Sequence, residues 1–183
     1  GQSAVAVGAL SSATGDLGTA VGSSAFAPDD QRTAIGNTSA AYGAYSTAVG
    51  SNAYASGSQS LAAGFGAQAT GDYSVAIGTG ANTAGYANSV ALGANSVVDR
   101  ANSVSVGAPG SERQITNVAD ATEAHDAVTL EQLQAAVGGG SAADHYFKAN
   151  GPADGSDDAS ATGLHATAAG PLANASGDYS AAM

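Results

Sequence analysis

The segment TAIGNTSAAYGAYSTAVG, residues 33–50, contains one full period of a repeat that runs through the first three-fifths of the chain. A glycine closes each period of fourteen residues, and a second glycine usually stands midway between two of these. Self-similarity at a short fixed period is typical of a solenoid, in which each repeat forms one coil stacked on the previous one. The period-closing glycines are Gly8, Gly22, Gly36, Gly50, Gly64, Gly78, Gly93 and Gly107, with one extra residue before Gly93; the midway glycines are Gly15, Gly43, Gly57, Gly71 and Gly85, with Asp29 and Arg100 as exceptions.

Apolar and small residues alternate within each period. Thr47 and Val49, for example, alternate with Ser46 and Ala48 before Gly50. A second alternation follows each period-closing glycine, with Ala at the third and fifth positions in most repeats. Alternation with a period of two predicts β-strands. Each coil is therefore expected to consist of two short strands joined by turns at the two glycines, which suit positive φ.

The coil is too short to enclose large side chains. Fourteen residues at roughly 3.3 Å each make a coil about 46 Å around, so only Ala, Ser and Gly fit between its strands. The aliphatic side chains then form a ladder outside the coil, where burying each is worth about 1.5–3 kcal/mol. We expect other copies of the chain to cover this ladder; alternatively, the aliphatic face forms the interior and no oligomer is required. The predicted inter-chain residues of the coils are Val5, Val7, Val21, Ile35, Val49, Leu61, Val75, Ile77, Val90, Leu92, Val104 and Val106.

The repeat stops at Gly107, and residues 113–137, RQITNVADATEAHDAVTLEQLQAAV, have a different pattern. Leu130, Leu133 and Val137 have the three-then-four spacing of a coiled-coil seam. Asp126 is a plausible N-cap, so we predict a helix from about Asp126 to Val137, ended by the glycines at 138–140. A helix this short is marginal alone. Its seam is therefore also expected to lie between chains.

The regular spacing of glycines returns near the C-terminus. Residues 145–151, HYFKANG, read as a short strand and turn, and a polar loop follows. Gly163, Gly170 and Gly177 then stand seven residues apart, and DYSAAM (178–183) corresponds to DYSVAI (72–77). We therefore predict a β-roll head over residues 1–110, a neck with a short coiled-coil stub over 111–140, and a connector with the start of a truncated second head over 141–183.

Composition excludes several classes of function. The formal net charge is −11 with only four Lys plus Arg, which argues against nucleic-acid and anionic-membrane partners. There is no cysteine, and His125, His145 and His165 have no second ligand at metal spacing. No local Ser/His/Asp arrangement supports catalysis. The sequence therefore predicts a protein that is not an enzyme and has no metal or cofactor.

Aromatic residues are the candidate ligand contacts. The predicted head is nearly neutral and carries aromatic residues that can bind proteins through apolar and hydrogen-bonding contacts. They are Phe26, Tyr42, Tyr45, Tyr54, Tyr73 and Tyr86. The alternative is that these rings only cover turns and inter-chain seams. If the head binds a ligand, the predicted contact surface surrounds Tyr42, Tyr45, Tyr54 and Tyr73.

Two motifs in succession resemble the head and neck of trimeric autotransporter adhesins of the YadA type. The first is the S-V-A-I-G pattern at Ser74–Gly78, repeated with variations at Ser89–Gly93 and Ser103–Gly107; the second is RQITNVA followed by DAVTLEQL. The resemblance implies a left-handed parallel β-roll in each chain, three rolls around one axis and a membrane anchor beyond these residues. It also implies display on a Gram-negative outer membrane and binding to a host matrix or cell-surface protein or glycan. The extra residue before Gly93 departs from the simplest pattern and must bulge a turn.

Other solenoid functions remain as alternatives. An ice- or surface-binding solenoid needs a flat array of outward Thr. Thr19, Thr33 and Thr47 form such a column, but it continues as Leu61 and Val75. A solenoid enzyme needs acids, basic residues or a histidine clustered on a groove, and the head lacks such a cluster. The adhesive module is therefore the leading hypothesis.

Overall fold

A computed structural model describes residues 1–137, 160–162, 165–168 and 173–182. The chain divides into two compact units, Gly1–Gln114 and Ile115–Met183. In chain order the elements are β1 (Val5–Val7), β2 (Ser12–Ala13), β3 (Thr19–Val21), β4 (Phe26–Ala27), β5 (Thr33–Ile35), β6 (Ala40–Ala41), β7 (Thr47–Val49), β8 (Tyr54–Ala55), β9 (Leu61–Ala63), β10 (Gln68–Ala69), β11 (Val75–Ile77), β12 (Val90–Leu92), β13 (Val104–Ser105), α1 (Leu130–Val137), β14 (Ser160–Ala161), β15 (Thr167–Ala168), β16 (Asn174–Ala175) and β17 (Ala181–Ala182).

The first unit is a parallel β-solenoid, as the fourteen-residue period predicts. Its strands form two sheets, one of eight strands in the order β1-β3-β5-β7-β9-β11-β12-β13 and one of five in the order β10-β8-β6-β4-β2. All pairings between these strands are parallel. Val5 lies beside Thr19, which lies beside Thr33, so the register advances fourteen residues from one of these coils to the next. Residues 1–110, all of which the structure describes, contain no helix.

The extra residue before Gly93 lies in a tight turn. Ile77 pairs with Leu92, so this coil has fifteen residues. The amide of Tyr86 donates to the carbonyl of Thr83 at 2.9 Å, and the two residues between them, Ala84 and Gly85, have φ of 52° and 83°. Two positive φ values in succession are typical of a type I′ turn. The predicted bulge is therefore confined to residues 83–86. In the strands on either side, the same positions of the repeat continue to point inward and outward.

The interior consists mostly of small side chains, but the prediction that only Ala, Ser and Gly fit there was too strict, because Thr83 and Val98 are also fully buried. The buried alanines come from both sheets: Ala20, Ala34, Ala48, Ala62, Ala76 and Ala91 from the first, and Ala27, Ala41, Ala55 and Ala69 from the second. Ser39, Ser46 and Ser74 are also buried, and their hydroxyls donate to carbonyls within the roll, which satisfies the polar groups that burial would otherwise leave unpaired. The alternative, an aliphatic interior, is wrong because those side chains point outward.

The two sets of glycines serve different purposes. Period-closing glycines have φ between 104° and 138° from Gly8 to Gly93, as a turn with positive φ requires. The midway glycines Gly43 and Gly57 do not have positive φ. A Cβ at either one would overlap the backbone of the next coil, so close stacking is what excludes a side chain there. The prediction of positive φ at these glycines was wrong; the positive φ falls two residues later, for example on Tyr45.

The neck helix begins later than predicted. It covers Leu130–Val137, and Thr129 caps it. The Thr129 hydroxyl accepts a hydrogen bond from the Gln132 amide at 3.3 Å, while the Gln132 side-chain oxygen accepts from the Thr129 amide at 3.2 Å. This reciprocal pair is a capping box. Asp126 is therefore not the N-cap; its carboxylate accepts from the amides of Thr122 and Glu123, both at 3.0 Å.

Strand pairs with the same fourteen-residue period recur among the described residues after position 159. Strand β14 pairs with β16 in parallel, with Ser160 beside Asn174, and β15 pairs with β17, with Thr167 beside Ala181. Both pairs advance fourteen residues, as in the first unit. The strand predicted at 145–151 lies outside the described residues. No helix in the described residues is long and apolar enough to cross a membrane.

Candidate functional site

The outward side of the eight-stranded sheet is an aliphatic face, formed by the residues one and three positions before each period-closing glycine. Parallel register stacks them directly, so Val21 lies beside Ile35 and Ile35 beside Val49. Ile35, Val49 and Ile77 remain 38–40% exposed in a single chain. Thr19, Thr33 and Thr47 continue the same face and interrupt its aliphatic character in the middle coils. A surface this apolar is typical of a protein interface.

The other sheet carries an aromatic cluster, which we define as Phe26, Tyr42 and Tyr54. The ring centroids of Phe26 and Tyr42 lie 5.4 Å apart, and those of Tyr42 and Tyr54 lie 5.5 Å apart. The ring planes are tilted by 52° and 50°, a geometry in which aromatic rings attract each other. Ala40 lies between Phe26 and Tyr54 in the strand register. Tyr42 is therefore in contact with both other rings, and the three side chains form one continuous aromatic cluster.

The structure divides the four tyrosines of the predicted contact surface into two groups. Tyr42 and Tyr54 belong to the aromatic cluster, where they are 47% and 38% exposed. Tyr45 and Tyr73 lie at the corner that follows the midway glycines, with φ of 58° and 56°. Both corner rings are more than half exposed. The four residues therefore do not form one continuous pocket.

The corner beside Tyr45 contains an ion pair that replaces the usual glycine and serine. Asp29 stands at a midway-glycine position and Arg32 at a position where most other coils have Ser. Their side chains form a salt bridge of 2.8 Å. Asp30 next to them accepts a hydrogen bond from the Asp16 amide of the preceding coil at 2.7 Å. This corner is thus a charged surface, distinct from the neutral aromatic cluster.

Arg113 links the last coils of the first unit through hydrogen bonds. Its guanidinium donates to the carbonyls of Val106 at 2.6 Å and Ala94 at 2.5 Å, and to the hydroxyl of Ser96 at 3.0 Å. These acceptors belong to the last two coils, so one side chain holds the terminal edge closed. The neighbouring carboxylate of Glu112 accepts from its own amide and from that of Gly110, which lowers the pKa of Glu112.

A second set of contacts fixes the neck. The side chain of Gln132 bonds both the amide and the carbonyl of Ala121, at 2.9 and 3.0 Å. The Thr129 hydroxyl donates to Asp120 at 2.9 Å. The amides of Thr122 and then Glu123, which donate to Asp126, lower the pKa of that carboxyl. Leu130 and Leu133, predicted as seam residues, are 68% and 51% exposed in a single chain; Val137, the third, is the last residue of the helix.

Comparison with known families agrees with this architecture. The family model described as "YadA head domain repeat" matches residues 1–30, 33–53, 55–81, 87–108 and 161–183. The family model described as "coiled stalk of trimeric autotransporter adhesin" matches residues 114–158. This chain belongs to the YadA-like trimeric autotransporter adhesins. The family resemblance inferred from the sequence motifs is therefore confirmed.

Individual relatives give the same assignment. The chain is similar to the autotransporter adhesin EhaG of Escherichia coli O157:H7, with 44% identity over 70 residues, which is 38% of this chain and 4% of EhaG. Its fold is similar to the crystal structure of the collagen-binding domain of the Yersinia adhesin YadA, with a TM-score of 0.60 and 36% identity. That match covers 74% of this chain and 75% of the Yersinia chain.

Sequence reasoning missed three features of these surfaces. Phe26 completes the aromatic cluster; the sequence analysis counted it among the aromatic residues of the head but left it out of the predicted contact surface. Its position in the same column as Tyr54, two coils away, could have indicated it. The capping box was visible as the T-x-x-Q pattern of Thr129 to Gln132. The contacts of Arg113 left no local signal, because its acceptors lie up to nineteen residues earlier in the chain.

Proposed function

We propose that this chain forms the head and neck of a homotrimeric adhesive module displayed at a bacterial surface. The proposed division is a head over residues 1–110, a neck and coiled-coil stub over 111–140, and a connector with a second head over 141–183. The observation that carries the proposal is the aliphatic face, which one chain leaves exposed and which its own small-residue interior cannot accommodate. Membership of a family of trimeric adhesins supports an assembly of three chains.

In the proposed trimer, the inter-chain contacts come from the aliphatic face. They comprise its twelve predicted residues from Val5 to Val106, together with Leu130, Leu133 and Val137 of the neck. The aromatic cluster projects from the opposite sheet of each roll and so remains outside. Anchoring in the outer membrane would be provided by parts of the protein other than the described residues. The module acts by binding and has no catalytic role.

The proposed ligand is a host matrix or cell-surface molecule. The Yersinia structure is titled a collagen-binding domain, which favours a matrix protein of that kind over a glycan. Because the head is nearly neutral, binding would depend on apolar and hydrogen-bonding contacts of the tyrosines rather than on ion pairs. Three copies per trimer would add weak single contacts through avidity.

Attachment to immobilised matrix proteins tests this function. Wild-type trimer should attach to surfaces coated with collagen or another purified matrix protein, measured by surface plasmon resonance. A variant with Tyr42, Tyr45, Tyr54 and Tyr73 replaced by Ser should keep the trimer mass and melting temperature but lose attachment. Full attachment by this folded variant would show that the contact lies elsewhere. Failure of the wild type to attach to any matrix protein or cell-surface glycan would contradict the proposed function itself.

A further inference from the structure

One corner of the solenoid interrupts the stacking of the coils. At the other corners of the first unit, all of which the structure describes, an amide in the turn after the midway position donates to a carbonyl of the preceding coil. Gln59 donates to Ala44 at 2.7 Å, and the same bond forms at six corners between Leu17 and Asn102. Tyr45 and Asp30, which occupy the equivalent positions, do not form it. A cleft of about 250 Å³ lies here instead, lined by Asp29, Asp30, Arg32, Ala44 and Tyr45.

Pro28 removes one hydrogen bond between the two coils at this corner. In other coils the residue at its position uses its amide; Ser56, for example, donates to the carbonyl of Ala69 at 3.0 Å. Proline has no amide hydrogen, so Pro28 cannot make this bond. Strands β4 and β6 accordingly pair at a single position, whereas β6 and β8 pair at two. The ladder thus ends one residue early, directly before Asp29.

Asp29 holds the next coil away because it carries a side chain where close stacking excludes one. A Cβ at Gly43, the equivalent position one coil later, would overlap the carbonyl of Gly57. The Cβ of Asp29 requires the same space, so the coil that follows it must be displaced at this corner. The other exception, Arg100, precedes the last strand of the sheet, so within the first unit the stack continues past a side chain at Asp29 alone. Two departures from the repeat therefore open one corner.

Polar groups on both sides of the cleft lack partners. Within the first unit, neither the amide of Tyr45 nor the carbonyl of Asp30 makes a hydrogen bond. The Arg32 side chain is only 12% exposed, yet its Nη1 alone pairs with Asp29, and its Nε is buried without a partner among the described residues. Leaving a buried donor unpaired costs about 1–3 kcal/mol. Such a cost, at the corner where the repeat is altered, indicates a site that a ligand completes.

These groups require a ligand that both accepts and donates hydrogen bonds. An ammonium group cannot accept from the Tyr45 amide, and an anionic ligand would meet the carboxylates of Asp29 and Asp30. Neutral hydroxyl groups accept and donate, and their hydrogen bonds to Asp29 and Arg32 would be charge-assisted. A peptide amide also does both, but it offers one donor and one acceptor, fewer than the cleft can use. Tyr45 is 58% exposed beside the cleft, so its ring face can pack against the C–H groups of a sugar ring.

We propose that this cleft binds a single neutral pyranose ring of a glycan. Its hydroxyls accept from the Tyr45 amide and from Arg32, and donate to the Asp30 carbonyl and to Asp29, while its C–H face lies on the Tyr45 ring. The site is separate from the aromatic cluster and adds a second ligand class to the matrix protein proposed above; it rests on the proposed surface display only for the source of the sugar. One ring per site gives low affinity, and three copies in a trimer supply the strength of attachment.

Saturation-transfer NMR with the whole chain tests the ligand class. The probes are methyl β-D-galactopyranoside, methyl β-D-glucopyranoside and methyl α-D-mannopyranoside; N-acetylneuraminic acid and a Gly/Ser peptide are the anionic and amide controls. At least one neutral glycoside should bind, and neither control should. Tyr45→Ala should weaken binding by about tenfold or more, whereas Tyr73→Ala, at the equivalent position of an intact corner, should bind within about twofold of the wild type.

A variant that restores the repeat, Pro28→Ser with Asp29→Gly and Arg32→Ser, separates the cleft from a general loss of structure. It should form the missing hydrogen bond between the coils, melt no lower than the wild type and lose sugar binding. Hydrogen exchange gives an independent measurement: the Tyr45 amide should exchange faster than that of Gln59 in the wild type and become protected in the variant. Equal protection of the two amides in the wild type, or sugar binding retained by the variant, would overturn the inference.

The remaining outcomes separate this site from the proposed function. Failure of all three glycosides to bind would show a cleft filled by water only and would overturn the inference. Preferential binding of the peptide or of the acidic sugar would overturn it in favour of that ligand class. Attachment to matrix proteins without sugar binding would overturn the inference and leave the proposed function intact. Sugar binding without attachment to any matrix-coated or glycan-coated surface would support the site and contradict the proposed function.

Discussion

Replacing Val49 and Ile77 by Asp should abolish assembly of the trimer. The two residues lie on the aliphatic face in strands β7 and β11, and single chains leave them 38% and 40% exposed. Fully burying such a side chain is worth about 1.5–3 kcal/mol, so covering the remaining two-fifths contributes about 0.6–1.2 kcal/mol per residue. Two residues in each of three chains therefore contribute roughly 4–7 kcal/mol to the trimer.

The loss on substitution is larger than this gain. Each Asp places a carboxylate against aliphatic side chains, and an unpaired buried ion costs several kcal/mol. Six such groups per trimer exceed the about 5–15 kcal/mol that stabilises a typical domain. We therefore expect the double variant to lose the trimer outright, and not merely to shift its dissociation constant.

The assay is sedimentation equilibrium combined with circular dichroism. The matched control carries Asn52→Asp and Thr79→Asp. These changes add the same charge close to the same two strands, but at exposed positions in the turns that follow them. The control should remain a trimer with nearly unchanged melting temperature, whereas the Val49/Ile77 variant should be unfolded or aggregated. A trimeric Val49/Ile77 variant with wild-type stability, or a wild-type chain that is a stable folded monomer, would refute the reasoning.

Three further predictions concern the neck and the end of the head. Thr129→Ala should destabilise the start of α1 by about 1 kcal/mol, whereas Thr129→Ser should not. The measurement is the hydrogen-exchange rate of the Leu133 amide, and equal rates in the two variants would contradict the capping box. The hydrogen bonds to Asp126 lower its folded pKa, so their stabilisation is present above the ordinary value of about 3.9 and is lost as pH falls through the lowered folded value. The amide chemical shift of Thr122 should therefore change through that lower pH range, and this change should be lost in Asp126→Asn. A transition of the Thr122 amide linked to Asp126 at or above the ordinary pKa would contradict the lowered pKa. Arg113→Met should destabilise the last coils by on the order of 2 kcal/mol, because the charged hydrogen bonds of Arg113 are lost. The control Arg100→Met, which changes an exposed arginine, should have little effect on the melting temperature. Similar melting temperatures for the two variants would show that Arg113 does not stabilise the last coils.

The repeat made the coil predictable because geometry leaves few solutions. A coil of this size has room mainly for alanine and serine, with Thr83 and Val98 as the larger buried side chains, so the alternation of Ala48 with Thr47 and Val49 decides which face is inside. The extra residue before Gly93, expected to bulge a turn because it departs from the repeat, does lie in the turn at residues 83–86. Local pattern and available volume together therefore determined the strands, the register and both faces of the first unit.

Other features depended on information that the pattern does not contain. Asp126 and Thr129 are both good N-cap residues, and the side chain of Gln132 decides between them by completing the capping box. All the midway glycines looked like positive-φ turns, but only Gly85 has positive φ, and at Gly43 and Gly57 close stacking of neighbouring coils is what requires glycine. Tyr42 reaches Phe26 and Tyr54 from a different position in its own coil, so the aromatic cluster appears only when the coils are stacked.

The central claim is that other copies of the chain cover the aliphatic face, and thiol labelling tests it most directly. The chain has no cysteine, so Val49→Cys and Asn52→Cys each introduce a single thiol. In one isolated chain Val49 is 38% exposed, so a thiol at that position would be accessible. In the trimer we expect Val49→Cys to react with a maleimide reagent at least about tenfold more slowly than Asn52→Cys, because local opening must precede reaction. Equal labelling rates in the folded protein would show that the face is open to solvent and would contradict the account.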